Sequence, residues 1–178
     1  MTVSSGDLRS AMGHFATGVA VVTALVRDRP EGITVNALAS VSLDPPLVMV
    51  ALERARFIVR TIDASHRYAV NVLAEDQQGL SDCFAGADVT PGRDAFCGAA
   101  WHPGATGLPL LDGAVASLEC EVVDVVSVGD HQLYVGRADA VVEGDRNEAP
   151  LLYHRRRYLR IERATTARVV GKLESPAG

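Results

Sequence analysis

The chain has 178 residues, of which 48% are hydrophobic and 22% charged, with a mean hydropathy of +0.13; that composition suits one folded domain with a sizeable core and argues against disorder. Seventeen basic against 22 acidic side chains leave a net charge of −5, the wrong sign for an electrostatic nucleic-acid binder, and His154-Arg155-Arg156-Arg157 is the only candidate basic patch. Three cysteines (Cys83, Cys97 and Cys120) are odd in number and spaced for neither a disulfide framework nor a closed zinc site, so reduced thiols in a cytoplasmic protein are expected.

The opening residues hold neither a basic region nor an apolar stretch, so no signal peptide is expected, and the apolar runs at 19–22 and 47–52 are far too short for a membrane span. Leu8, Ala11, Met12 and Phe15 recur at helical spacing behind Ser5 and Asp7, either of which suits a cap. Residues 19–26 are β-branched enough for a strand. Residues 27–32 carry turn chemistry, so residue 33 onward is expected to return as the partner strand, stopped at Asp44-Pro45-Pro46. Residues 47–52 read as a fully buried strand, 57–65 as a helix, 68–73 as a strand and 76–84 as a helix. The Gly- and Pro-rich stretch 85–113 reads as a long, partly ordered loop. Two long strands, 116–126 and 132–142, precede a short one at 151–153, and the tail from 171 to 178 is expected to fray. The fold class expected is mainly β with peripheral helices, a small antiparallel barrel in one domain spanning 1–178 with its core at about 7–161.

The familiar catalytic signatures are missing. No Gly-x-Gly-x-x-Gly follows a strand, Gly171-Lys172 lacks the rest of a phosphate loop, and there is no Gly-x-Ser-x-Gly or His-Glu-x-x-His. The five histidines are scattered, so no metal site is expected. What stands out is the polar content of 32–46, where period two puts Thr34, Asn36, Ser40 and Ser42 on one face. That face is either solvated or the lining of a groove for a polar, flat ligand.

The segments Phe15-Ala-Thr-Gly-Val-Ala-Val-Val-Thr23, Thr34-Val-Asn-Ala-Leu-Ala-Ser-Val-Ser-Leu-Asp-Pro-Pro-Leu47 and Tyr68-Ala-Val-Asn-Val-Leu73 strongly resemble the flavin reductase family. Pro109-Leu-Leu-Asp-Gly113, Leu118-Glu-Cys120, Gly129-Asp-His131, Leu151-Leu-Tyr-His154 and Tyr158 follow in the family's order. The resemblance implies an FMN-binding split β-barrel of antiparallel Greek-key type and a homodimer. It also implies an NAD(P)H:flavin oxidoreductase that passes reduced FMN or FAD to a separate oxygenase of a two-component monooxygenase. Such chemistry is carried by the cofactors, with NADH or NADPH as hydride donor, which accounts for the missing motifs.

Residue by residue, the resemblance implies that Thr34, Val35, Asn36, Ala37 and Leu38 line the isoalloxazine and that Ser40, Val41 and Ser42 meet the ribityl chain and phosphate. Ala51 and Leu52 would pack on the ring, with Phe84 and Ala85 closing over it. Arg56 and Ile58 depart from the family, standing where hydroxyls are usual, and Phe57 between them is a further cofactor-binding candidate; Arg56 either binds the phosphate or points into solvent. His131 is the expected catalytic residue on the nicotinamide side, with Arg157 and Tyr158 as further nicotinamide-binding candidates. Two alternatives stay open: a module that binds flavin or haem without turnover, and a flavin-dependent oxidase acting directly on an organic substrate.

Overall fold

A computed structural model describes residues 2–86, 96–145 and 147–161. The elements are α1 (Ser5–Met12), β1 (Thr17–Gly18), β2 (Ala20–Val26), β3 (Arg29–Val35), β4 (Leu38–Leu43), β5 (Pro46–Glu53), α2 (Phe57–Ser65), β6 (Arg67–Val72) and α3 (Gln78–Gly86). They continue with β7 (Trp101–Pro103), β8 (Pro109–Leu111), β9 (Ala116–Val128), β10 (His131–Glu143), β11 (Leu152–His154) and β12 (Arg157–Leu159). Seven strands form the main sheet in the order β3-β2-β6-β9-β10-β5-β4, every pair antiparallel. The sheet is a mainly β, split-barrel-like layer that curls without closing, so β3 and β4 remain its two edges.

The expected continuous strand from residue 33 to the prolines is in fact two strands. The chain leaves the ladder at Asn36 and Ala37 and crosses to the opposite edge of the sheet, so β3 pairs with β2 while β4 pairs with β5. A further register shift between Ser40 and Ser42 makes Val41 an extra residue. Period two therefore does not carry Thr34, Asn36, Ser40 and Ser42 onto one face. The first hairpin is also tighter than expected. Arg27 and Asp28 both take positive φ and form the whole turn, and β3 begins at Arg29.

Strand β2 is buried on both faces, which explains its unbroken apolar run. One face joins Val22 and Ala24 to Val50, Leu52, Tyr68, Val70, Cys120 and Tyr134, closed off by Ile58, Val59 and Ile62 of α2. Those three recur at i, i+1 and i+4, and the helix ends where His66 takes the left-handed conformation and donates to the Ile62 carbonyl. Below the other face, Val19 and Val21 pack with Leu73, Phe84, Phe96, Leu111 and Leu151. Strand β5 is half-buried rather than fully buried, because only Val50 and Leu52 alternate inward.

Asn71 ties the layers together. Its amide donates to the Val21 carbonyl and to Thr23 Oγ1, and its oxygen accepts from the Leu111 N–H and from Ser117 Oγ. A buried amide with every valence used holds β8 onto the sheet. The stretch read as a loop thus contains the β7–β8 hairpin, while its residues 87–95 and the tail 171–178 lie outside the described residues.

The thiols depart from expectation. Cys83 and Cys97 form a disulfide with a Cα–Cα distance of 6.1 Å, leaving Cys120 free and buried. The cause is tertiary: Phe84 and Phe96 meet edge-to-face at 5.4 Å, and their packing brings the neighbouring cysteines together.

Candidate functional site

The polar end of β3, helix α3 and the β11–β12 hairpin enclose a cavity of about 320 Å³. Val19, Ile33 and Val35 supply apolar wall; Tyr153 and Tyr158 flank it, their rings 5.2 Å apart in an edge-to-face pair. Ser81 and Asp82 come from α3, and Arg56 from the start of α2. The site therefore joins five separate stretches of chain at the sheet edge.

Hydrogen bonds fix its walls. Thr34 Oγ1 donates to the Ser81 carbonyl at 2.7 Å, so its proton is used and only its lone pairs face a ligand. Tyr158 donates to Asp82 at 2.8 Å and shares a 2.9 Å bond with Ser81 Oγ. Partial burial raises the Tyr158 phenol above its ordinary range; the Ser81 bond opposes this and the Asp82 bond adds to it. The phenol is therefore a neutral donor across physiological pH. Where the chain leaves β3, the N–H groups of Asn36 and Ala37 have no backbone partner among the described residues, and that makes them available to a ligand's polar edge.

Six of the residues singled out from sequence meet here: Thr34, Val35, Asn36, Arg56, Ala85 and Tyr158. Arg56 lies on the wall with its Nε donating to Glu53 at 2.9 Å, so it does not simply point into solvent. It is also the N-cap of α2 and makes no side-chain capping bond there, which is what a hydroxyl at that position would have supplied.

Other expected residues do not line this cavity. Leu52 is 1% exposed and Phe84 wholly buried; both are core residues, committed to packing by the inward alternation of β5 and by the Phe96 contact, and neither offers a face to a ligand. Leu38, Ser40, Val41 and Ser42 sit on β4 at the far edge of the sheet. Ala37 reaches β5 through the Ala51 N–H, which donates to its carbonyl. Phe57 is exposed beneath the Arg60 guanidinium. His131 opens β10 in the hairpin tip, paired in register with Glu53, the residue that also holds Arg56. Arg157 stands exposed on β12 opposite His154.

Ser81, Asp82 and Tyr153 were not singled out as site residues. They lie far from Thr34 in sequence, and only Tyr153 falls in one of the recognised segments, Leu151-Leu-Tyr-His154. A second cavity adjoins the first, sharing Asn36 and Tyr153 with it. Among the described residues no helix is long and apolar enough to cross a membrane, and no group of His, Cys, Asp and Glu is placed to hold a metal ion.

Comparison with known proteins matches residues 12–162 to the family described as flavin reductase like domain. The chain is 42% identical over 152 residues to an NADH-dependent FMN reductase of Streptomyces nodosus subsp. asukaensis, covering 85% of this chain and 82% of that protein. It is 35% identical over 155 residues to the reductase subunit of a flavin-dependent monooxygenase of Mycobacterium tuberculosis, covering 86% and 81%. Among solved structures, the NADH:FAD oxidoreductase of Streptomyces globisporus C-1027 superposes with a TM-score of 0.82 at 33% identity, covering 90% of this chain and 97% of that one.

Proposed function

The chain belongs to the flavin reductase like domain family, and from that premise we propose that it is an NAD(P)H-dependent reductase of FMN or FAD whose reduced product serves a separate oxygenase. The observation that carries this reading is the cavity at the end of β3. It is part apolar and part hydrogen-bonding, and flanked by two tyrosines. Those are the demands of a tricyclic ring with one greasy and one polar edge. Relatives named as an NADH-dependent FMN reductase and as a monooxygenase reductase subunit support it.

A flavin bound there supplies the redox chemistry, accepting hydride from a reduced nicotinamide. The chain's own residues bind and orient. Asn36 and Ala37 offer backbone N–H groups, Tyr158 holds a neutral hydroxyl on the wall, and Val19, Ile33 and Val35 keep water from the apolar side. Arg56 is assigned to the ribityl and phosphate end. His131 is assigned to the nicotinamide side. Its Nδ1 meets Asp130 Oδ1 at 2.6 Å, and a carboxylate only accepts, so the ring proton sits on Nδ1 and Nε2 is left for the substrate.

The working unit is inferred to be a homodimer of single-domain chains. Val123, Val125, Val126 and Val128 are exposed towards the hairpin end of the long β9–β10 ribbon, apolar side chains of the kind a second copy covers. The experiment that tests the reductase activity is NADH and NADPH oxidation by purified protein, with FMN, with FAD and with neither. Consumption that depends on added flavin is expected; none with either nucleotide would end the proposal.

A further inference from the structure

The turn between β5 and α2 carries an ion pair against the cavity assigned to the flavin. The Arg56 N–H donates to the Glu53 carbonyl at 3.1 Å and Arg56 Nε donates to Glu53 Oε2 at 2.9 Å, so backbone and side chain close the same turn. Glu53 is itself fixed from the other side. It ends β5 directly opposite His131 of β10. The next residue, Arg54, is tied to the tip of the β9–β10 hairpin: its N–H donates to the Asp130 carbonyl at 3.0 Å and its guanidinium to the Gly129 carbonyl. The Glu53 carboxylate therefore has a set place on the last rung of the sheet, and the Arg56 side chain is drawn to it.

Among the described residues Arg56 is the only cation on the wall of that cavity, and Glu53 stands behind it, off the wall. The Arg56 side chain is 25% exposed and that of Glu53 43%, so the pair lies at the rim, where it can open without stranding a buried charge. A flavin phosphate carries close to two negative charges at neutral pH and is held best by charge-assisted bonds from a guanidinium. The guanidinium on this wall comes with a carboxylate already on Nε, and Nε belongs to one of the edges through which arginine grips an oxyanion with two bonds. Phosphate and carboxylate are rivals for the same cation.

We infer that Glu53 is a positioning residue that competes with the flavin phosphate for Arg56 and so sets how readily the flavin leaves. The inference rests on the reductase reading. A reductase whose product serves another protein has to let that product go, and an uncovered cation at the rim would hold it back. With Glu53 in place, the carboxylate returns to the guanidinium as the phosphate departs, so release leaves no charge without its partner.

The test compares flavins with and without the phosphate. Dissociation constants and release rates of FMN and of riboflavin are measured by flavin fluorescence for wild type, Glu53→Gln, Arg56→Gln and the double variant. Glutamine keeps the size of the side chain and an acceptor oxygen for Nε but removes the charge. Glu53→Gln is expected to tighten FMN about fivefold and to slow its release by a similar factor, while riboflavin moves less than twofold. Arg56→Gln should weaken FMN and spare riboflavin, and in that background Glu53→Gln should shift FMN less than twofold. Unchanged or weaker FMN binding in Glu53→Gln, an equal gain for riboflavin, or a gain that persists undiminished without Arg56 would overturn the inference and leave the reductase reading intact. Wild-type protein that bound neither flavin would remove that reading, and this inference with it.

Discussion

Tyr158 donates its hydroxyl proton to Asp82 at 2.8 Å, a bond that links the β11–β12 hairpin to helix α3 across the mouth of the cavity. Ser81 joins the same oxygen. Tyr158→Phe removes both bonds and leaves the buried Ser81 hydroxyl one partner short, at a cost of about 1–2 kcal/mol. Flavin affinity is expected to fall about fivefold, equivalent to about 1 kcal/mol. Fluorescence titration and urea unfolding of the variant check the two effects separately.

Gly32 supports Phe84 from below. A methyl group there would stand 2.6 Å from Cε1 and 2.8 Å from Cδ1 of the ring, which is itself fully buried against Phe96. Gly32→Ala is expected to destabilise by about 1–3 kcal/mol through overpacking. Adding Phe84→Leu should recover part of that loss in the double variant, and thermal melts of the single and double variants measure the coupling.

Alkaline pH should unfold the protein in a way that Cys120 controls. Burial, followed by the charges of Asp139 and Glu119, pushes its thiol up to about 12 from 9.0, while the Tyr68 hydroxyl pulls the other way. The folded state holds the proton more tightly than the unfolded one, so this contribution is complete below pH 9 and is lost as pH rises from 9 towards 12. Burial also raises Tyr68 and Tyr134, which adds in the same direction at higher pH. Melting temperatures of wild type and Cys120→Ala between pH 8 and 11.5 are expected to show the steeper fall in wild type.

His131→Ala is expected to lower kcat/KM for the nicotinamide donor about tenfold, the loss of one directed hydrogen bond, while KM for flavin stays within twofold. The side chain is 44% exposed and touches no wall of the flavin cavity, so a fall in flavin affinity would contradict its assignment. The imidazole bond also holds the Asp130 carboxyl below its usual range.

Light scattering should return about twice the monomer mass. Val126→Asp places a charge on the exposed apolar ribbon and is expected to shift the population towards monomer. A wild-type monomer with full turnover would refute the dimer assignment.

The local elements were legible because their patterns are local. The β-branched and aromatic run of β6, the 58–59–62 stripe of α2 and the two long strands of the β9–β10 ribbon all follow from local side-chain pattern. The crossing at Asn36–Ala37 was not, since nothing in Val35-Asn-Ala-Leu38 distinguishes a strand that continues from one that changes edge. The end of β3 stood out because its polar residues break an apolar context, but that pattern alone fits a solvated face as well as a groove, and the resemblance to flavin reductases made the assignment. Ser81, Asp82 and Tyr153 were missed because their role exists only once α3 and the last hairpin fold over β3. Phe84 shows the converse: a residue adjacent to the site in sequence is spent on the core.

The pairing of Cys83 with Cys97 has a practical corollary. With Cys120 sealed inside the sheet, the oxidised native protein presents no sulfhydryl to bulk reagent. One cysteine introduced on an exposed strand would be the sole maleimide target, so a dye on the β9–β10 ribbon could report subunit exchange without first stripping out the natural sulfur residues.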